Sequence, residues 1–209
     1  MAVASSPGTL VIACGALGRE LQAVLAANGL LGDGRGHGGI RVEYLTADLH
    51  MTPARIPDAV EERILAAGDE VDQVLVGYAD CGTAGRLDEV VARHGATRLP
   101  GAHCYEFLAG SDLFATLHDA EPGTFYLTDY LLRQFDRLVW RGLALDRHPE
   151  LLDDWFGNYT RLCWISQFPT PELHARAREA ADRLGLRLEH VHVGTGDLGP
   201  AVAAGVGAS

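Results

Sequence analysis

Three times in the first half of the chain a short apolar run ends in a turn and passes into a segment of helical spacing, and this repetition restricts the fold more than any other feature. Residues 10–14 lead through the turn 15–18 into 19–27, which Asn28 and Gly29 close. Ile40–Leu45 alternates like a strand, turn residues occupy 46–57, and 58–67 has helical spacing. Residues 73–78 are apolar, the turn Asp80-Cys81-Gly82-Thr83 follows, and a helix is expected over 86–94 with Gly95 as its stop. Strand, turn and helix in succession call for parallel strands joined by right-handed crossovers.

Further along, residues 105–156 read as mostly helical, with one strand-like run at 124–127 and an aromatic stretch at 130–140. Alternation then resumes with Arg161–Ser166, a helix at 171–184 stopped by Gly185, and a strand at 187–193. The expectation is one α/β domain over 1–209: an open, mostly parallel sheet of about five strands, helices on both faces, and a helical insertion at 105–156. The glycine-rich segment 32–39 reads as a mobile connection, and it lacks the Gly-Lys-Ser/Thr of a phosphate loop. Residues 199–209, small in composition, read as a loose tail.

Composition excludes some function classes. A 47% hydrophobic content beside 22% charged residues suits a packed core and not a disordered chain. The formal charge of -11 has the wrong sign for gripping phosphate backbones, so nucleic acid is not expected as a partner. The longest apolar runs fall far short of the roughly 20 residues of a membrane span. No signal-peptide pattern opens the sequence, so the expected compartment is the cytoplasm, where the four cysteines would stay reduced.

The polar reactive residues cluster at strand ends. Cys14 ends the first apolar run, His50 follows the second strand, Cys81 follows the third, and Cys104 follows a short fourth strand expected at 97–99. The carboxyl ends of parallel strands share one edge, and ligands bind in the crevice above it. Three thiolates and one imidazole there would make a tetrahedral Cys3His site suited to zinc, or three thiolates could hold an iron-sulfur cluster. Each cysteine alone could equally be a small apolar core residue. Cys163, in the middle of its strand, is read that way. His103 adjoins Cys104, and neighbours in an extended segment point to opposite sides, so Cys104 is chosen as the ligand.

Three stretches, VIACGALGREL, LVGYADCGTAGRL and PGAHCYEFLAGSDLF with the following PGTFYLTDY, resemble the DUF1638 family of bacterial and archaeal proteins of unknown function, over residues of about 10 to 195. The family's strand-end Cys-Gly matches Cys14-Gly15, and its Tyr-Gly-x-Cys-Gly turn matches residues 78–82. Its Cys before Leu-Leu-Gly-Ser matches Cys104 with 108–111, and its Leu-His-x-x-Pro matches Leu49-His50 with Pro53. Ala79 stands where the family has glycine, and His103 where it has an acidic residue. Members are similar to companions of corrinoid-dependent methyl metabolism, so the resemblance implies that methyl transfer is worth testing.

Further residues complete the expected site. Gly15 and Gly82 form turns beside two of the cysteines, and Arg19 and Arg86 open the helices after them, where an anionic cofactor or substrate could bind. The turn 194–198, with Asp197, could hold a substrate at the same edge, and Glu106 and Asp129 are candidate acid/base carboxylates. His190 and His192 share one strand face, which allows chelation or plain surface exposure. Trp140, Trp155, Phe156, Tyr159 and Trp164 either line a pocket or pack a helical layer. The leading expectation is a metal-binding protein, with a Cys3His zinc site that activates a substrate thiol or transfers a methyl group. An iron-sulfur protein, a metal carrier or sensor without catalysis, and a metal-free enzyme with Cys81 as nucleophile are the alternatives. The expected partner is a small-molecule substrate or another protein, with self-association left open.

Overall fold

A computed structural model describes residues 8–30 and 39–205. In chain order its elements are β1 (Thr9–Cys14), α1 (Gly18–Ala27), β2 (Ile40–Leu45), α2 (Ile56–Ala67), β3 (Gln73–Gly77), α3 (Arg86–Arg93), β4 (Thr97–Arg98) and α4 (Cys104–Ala109). They continue with α5 (Ser111–Ala120), β5 (Thr124–Thr128), α6 (Asp129–Arg133), α7 (Leu152–Phe156), β6 (Arg161–Ser166), α8 (Pro171–Leu184), β7 (Arg187–His192) and α9 (Leu198–Gly205). All strand pairs are parallel. The α/β class expected from the alternation of elements is therefore the observed one.

The strands are divided between two sheets instead of forming a single one of about five: a four-stranded sheet in the order β2-β1-β3-β4 and a three-stranded sheet in the order β5-β6-β7. The chain correspondingly divides into two compact units, Met1–Phe107 with Asp197–Ser209, and Leu108–Gly196. The segment 105–156, read as a helical insertion, contains β5, which pairs with β6 from Thr124↔Arg161 to Thr128↔Ile165. Periodicity identifies a strand but not its partner. β4 spans only two residues, and no described strand pairs beyond it.

In the first unit β1 is central, and Leu10, Val11, Ile12 and Ala13 are completely buried, as a strand covered on both faces must be. α1 packs with α9, α9 with β3, and α2 with α3 and β1. The tail read as loose is thus helical from Leu198 to Gly205, with Leu198 and Val202 buried. Most of the glycine-rich connection, residues 32–38, lies outside the described residues. Because β2 and β3 flank β1 on opposite sides, the strand order reverses direction at β1, and the crevice of such a sheet lies above its carboxyl end. Cys14 is the last residue of that strand.

In the second unit β6 is buried along its whole length. α8 starts at Thr170, whose hydroxyl accepts the Leu173 amide at 3.3 Å, carries Pro171 in its first turn, and stops at Gly185 with φ +68°. Its buried stripe, Leu173, Ala177, Ala180, Ala181 and Leu184, packs with Leu162 and Trp164 of β6 and with Phe156. No described helix is long and apolar enough to cross a membrane.

One glycine controls the spacing that brings β3 alongside β1. A Cβ on Gly77 would stand 2.8 Å from Ala13 Cβ and 3.0 Å from its Cα. Gly77→Ala is expected to cost about 1–3 kcal/mol through overpacking, read as a lower midpoint in urea denaturation. An unchanged midpoint would show that the two strands are not held this close.

Candidate metal centre

Four segments of the first unit deliver their reactive side chains to one small pocket. It is lined by Cys14, His50, Cys81 and Cys104 together with apolar groups that include Leu17, Ala79 and Phe107, and it has about 20 Å³ of water-accessible space. That is room for about one water molecule or ion. Cys104, not His103, lines it; Cys104 opens α4, so the extended segment assumed for these two neighbours is not what separates them. Among the described residues no three His, Cys, Asp or Glu side chains stand at the separations of a formed metal centre. The four donors converge without closing.

Each donor is set by its own backbone. The Cys14 sulfur accepts the Ala16 amide at 3.4 Å, which caps the turn Gly15–Leu17. Cys81 has φ +51°, an uncommon conformation for a residue with a side chain, and its amide donates to Ala102 O at 2.8 Å. That bond ties the Cys81 turn to the segment leading into Cys104. The Asp80 carboxylate organises the turn by accepting from the amides of Gly82, Ala84 and Gly85 and from the Thr83 hydroxyl. These donors, the Gly85 amide foremost, hold Asp80 below the ordinary carboxylate range. Glu106 accepts the Ala102 amide at 2.9 Å and fills the space that a Cβ on Gly101 would need, so it helps build the loop.

His50 Nδ1 lies 3.2 Å from Ala47 O and 3.9 Å from Cys14 Sγ. A carbonyl only accepts, so the neutral ring carries its proton on Nδ1 and its lone pair on Nε2. Burial pushes the His50 pKa down, ahead of the opposing Ala47 hydrogen bond, so the imidazole stays neutral and able to coordinate. Its ring stacks on Tyr78, with centroids 5.9 Å apart.

The thiols are held neutral. Burial raises Cys14 to about 11 and Cys81 to about 12, and Cys81 is raised further by the neighbouring Cys14 charge. Cys104 moves up for the same reason, burial first and then both other sulfurs. As a residue Cys104 is only partly buried, but its thiol is enclosed.

The remaining expected site residues do other work. Gly15 permits a close approach, since a Cβ there would lie 3.1 Å from Leu45 O. Gly82 has φ +83° in the Asp80 turn. Arg19 is exposed on α1, and Arg86 donates to Ala54 O at 3.2 Å and pairs with Asp58; neither lines the pocket. The Asp197 amide donates to Phe107 O at 2.7 Å, within the first unit. In the second unit Cys163 is buried mid-strand, and Asp129 is a buried acceptor for the Trp164 indole and the Phe168 amide. His190 Nε2 meets Ser166 Oγ at 2.8 Å, and its ring stacks on Trp164. Trp140, Phe156 and Trp164 belong to the packed cluster, while Trp155 and Tyr159 are exposed.

Sequence reasoning assigned no role to Tyr78 or Asp80. The available signal was position: Tyr78 directly follows β3, and Asp80 opens a turn rich in glycine. Tyr78 is 1% exposed, and among the described residues its hydroxyl has no hydrogen-bond partner.

A family model described as protein of unknown function (DUF1638) matches residues 44–202, a span holding His50, Cys81 and Cys104 but not Cys14. No curated protein and no solved structure matches.

The raised thiols make a chemical prediction for metal-stripped protein. An exposed cysteine with a pKa of about 8.5 is partly ionised at pH 8, whereas Cys14 at about 11 is not, so iodoacetamide should alkylate Cys14 and Cys81 slower by on the order of 100-fold. Linkage has a definite sign. The folded state keeps these protons where the unfolded chain loses them, so stability is full below about pH 8.5 and falls as pH rises toward 11–12. Rapid alkylation at pH 8, read by peptide mass mapping, would contradict the neutral thiols.

Proposed function

Because the chain belongs to the DUF1638 family, whose description names no reaction, its function has to be read from its site, and we propose that it is a metal-binding protein in which Cys14, Cys81, Cys104 and His50 hold one zinc ion. The observation that carries this reading is the arrival of three sulfurs and one neutral imidazole, from four separate segments, around a space the size of a single ion. Three soft donors and one borderline donor suit zinc, and its positive charge would relieve the cost that burial and mutual repulsion place on three neighbouring thiolates. Small thiol and imidazole rotations would close the set. The pocket's size favours an ion over an iron-sulfur cluster.

His50 is the donor best placed to exchange. It is half-buried, sits on a short turn, and its firm polar tie is to Ala47 O. When bound, zinc would supply Lewis acidity and lower the pKa of a substrate thiol occupying the position His50 vacates. The protein's part is to keep that position dry with Leu17, Ala79 and Phe107 and to fix the three sulfurs. Thiol activation in a methyl transfer is the concrete reaction we propose: a small-molecule thiol gives its proton to solvent and attacks the methyl group of a methylcorrinoid donor. The new S–CH3 bond forms as the donor's bond to that carbon breaks, and its electron pair leaves with the donor. The pocket's small volume also supports a second reading, a carrier or sensor that holds the ion and hands it to a partner protein. A metal-free nucleophile is less well supported, since Cys81 is pushed up to about 12.

Elemental analysis and chelator competition test the reading. The native protein is expected to retain one zinc per chain, and Cys14→Ser, Cys81→Ser and Cys104→Ser should each weaken binding by more than the roughly 10–100-fold that losing a ligand's hydrogen-bond partner costs. His50→Ala should retain zinc more weakly and leave the exchangeable position open to an added thiol. Zinc content unaffected by the three serine substitutions would end the proposal, and a brown, iron-containing protein from anaerobic purification would replace zinc with a cluster.

A further inference from the structure

The pocket wall contains a hydroxyl that the four donors do not use. Tyr78 is 1% exposed, its ring is stacked against His50, and its oxygen has no hydrogen-bond partner among the described residues. A buried unpartnered hydroxyl is costly, and native structures rarely leave one without a reason. Tyr78 lines the same pocket as Cys14, and the register of β1 and β3 sets the two residues side by side, with the hydroxyl short of a full hydrogen bond to the sulfur. A neutral thiol is a weak acceptor, whereas a thiolate is a strong one.

We infer that Tyr78 is a positioning residue whose hydroxyl donates to the Cys14 sulfur when that sulfur is bound to metal. The inference rests on the Cys3His reading and adds a fifth residue to it. Cys14 would then carry two donors, the Ala16 amide already at 3.4 Å and the Tyr78 hydroxyl. Their combined effect is to hold the sulfur's lone pairs in fixed directions and to withdraw electron density from it. Phenol and sulfur are brought together by register: β1 ends at Cys14, and Tyr78 directly follows the neighbouring strand β3, with Gly77 paired to Ala13.

Tyr78→Phe in the full chain tests this, with zinc and cobalt(II) as the probes. The stripped variant is expected to be as stable as wild type or more so, because it loses an unsatisfied hydroxyl. Its zinc affinity should fall about 10–100-fold. The sulfur-to-cobalt charge-transfer band should move to lower energy, because a thiolate without the hydrogen bond is a better electron donor. In a Cys14→Ser background the same change should have little further effect on affinity. Wild-type affinity and an unshifted band in Tyr78→Phe would overturn the inference while leaving the metal site intact. Equal loss of stability in stripped and loaded variant would overturn it too, by showing a packing role. Wild-type protein that binds neither ion would overturn the Cys3His reading and this inference with it. Should Tyr78→Phe fail to fold, fluorotyrosine at position 78 keeps ring and hydroxyl while strengthening the donor. It should shift the cobalt band to higher energy, and no shift would overturn the inference.

Discussion

Burying three thiols side by side makes each harder to ionise, and the rest of the candidate site follows from that electrostatic cost. Cys14, Cys81 and Cys104 are raised first by loss of water and then, for Cys81, by Cys14 and, for Cys104, by Cys81 and Cys14. Amides offset part of this: Ala16 for Cys14, Ala79 for Cys81, and Cys104 and Tyr105 for Cys104. What remains is a pocket that disfavours negative sulfur unless something positive arrives with it. Such a pocket discriminates strongly between a cation and no cation.

The surrounding loops are built to hold this arrangement. Asp80 gathers the amides of 82, 84 and 85, and the positive φ of Cys81 is kept by the bond of its amide to Ala102 O. Arg98 pairs with Asp88 and donates to Leu99 O and Gly101 O, fixing the strand end that precedes Cys104. Glu106 closes the same loop from the other side through Ala102. The carboxylates here thus serve to shape backbone, while the sulfurs and the imidazole face the pocket.

Much of this was legible in the order of residues. Apolar runs followed by turns predicted parallel strands, and the placement of Cys14, His50, Cys81 and Cys104 at strand ends predicted one shared edge, which the pocket lining reproduces. The division into two sheets was not legible, because β5 and β6 carry the same apolar signal whether they pair with β4 or with each other. The helix α9 was missed because a run of alanine, valine and glycine looks like a tail until Leu198 and Val202 find buried positions. Tyr78 opens the turn of residues 78–82 that carries part of the family resemblance, yet no role followed from it. A tyrosine after a buried strand reads as packing, and only three-dimensional placement shows that its hydroxyl lacks a partner beside a sulfur.

The claim at the centre is that three sulfurs and one ring nitrogen meet on a single ion. X-ray absorption at the zinc edge of the loaded protein measures that shell directly. The account predicts three sulfur neighbours at about 2.3 Å and one nitrogen at about 2.0–2.1 Å. A shell dominated by nitrogen and oxygen, with one sulfur or none, would contradict it.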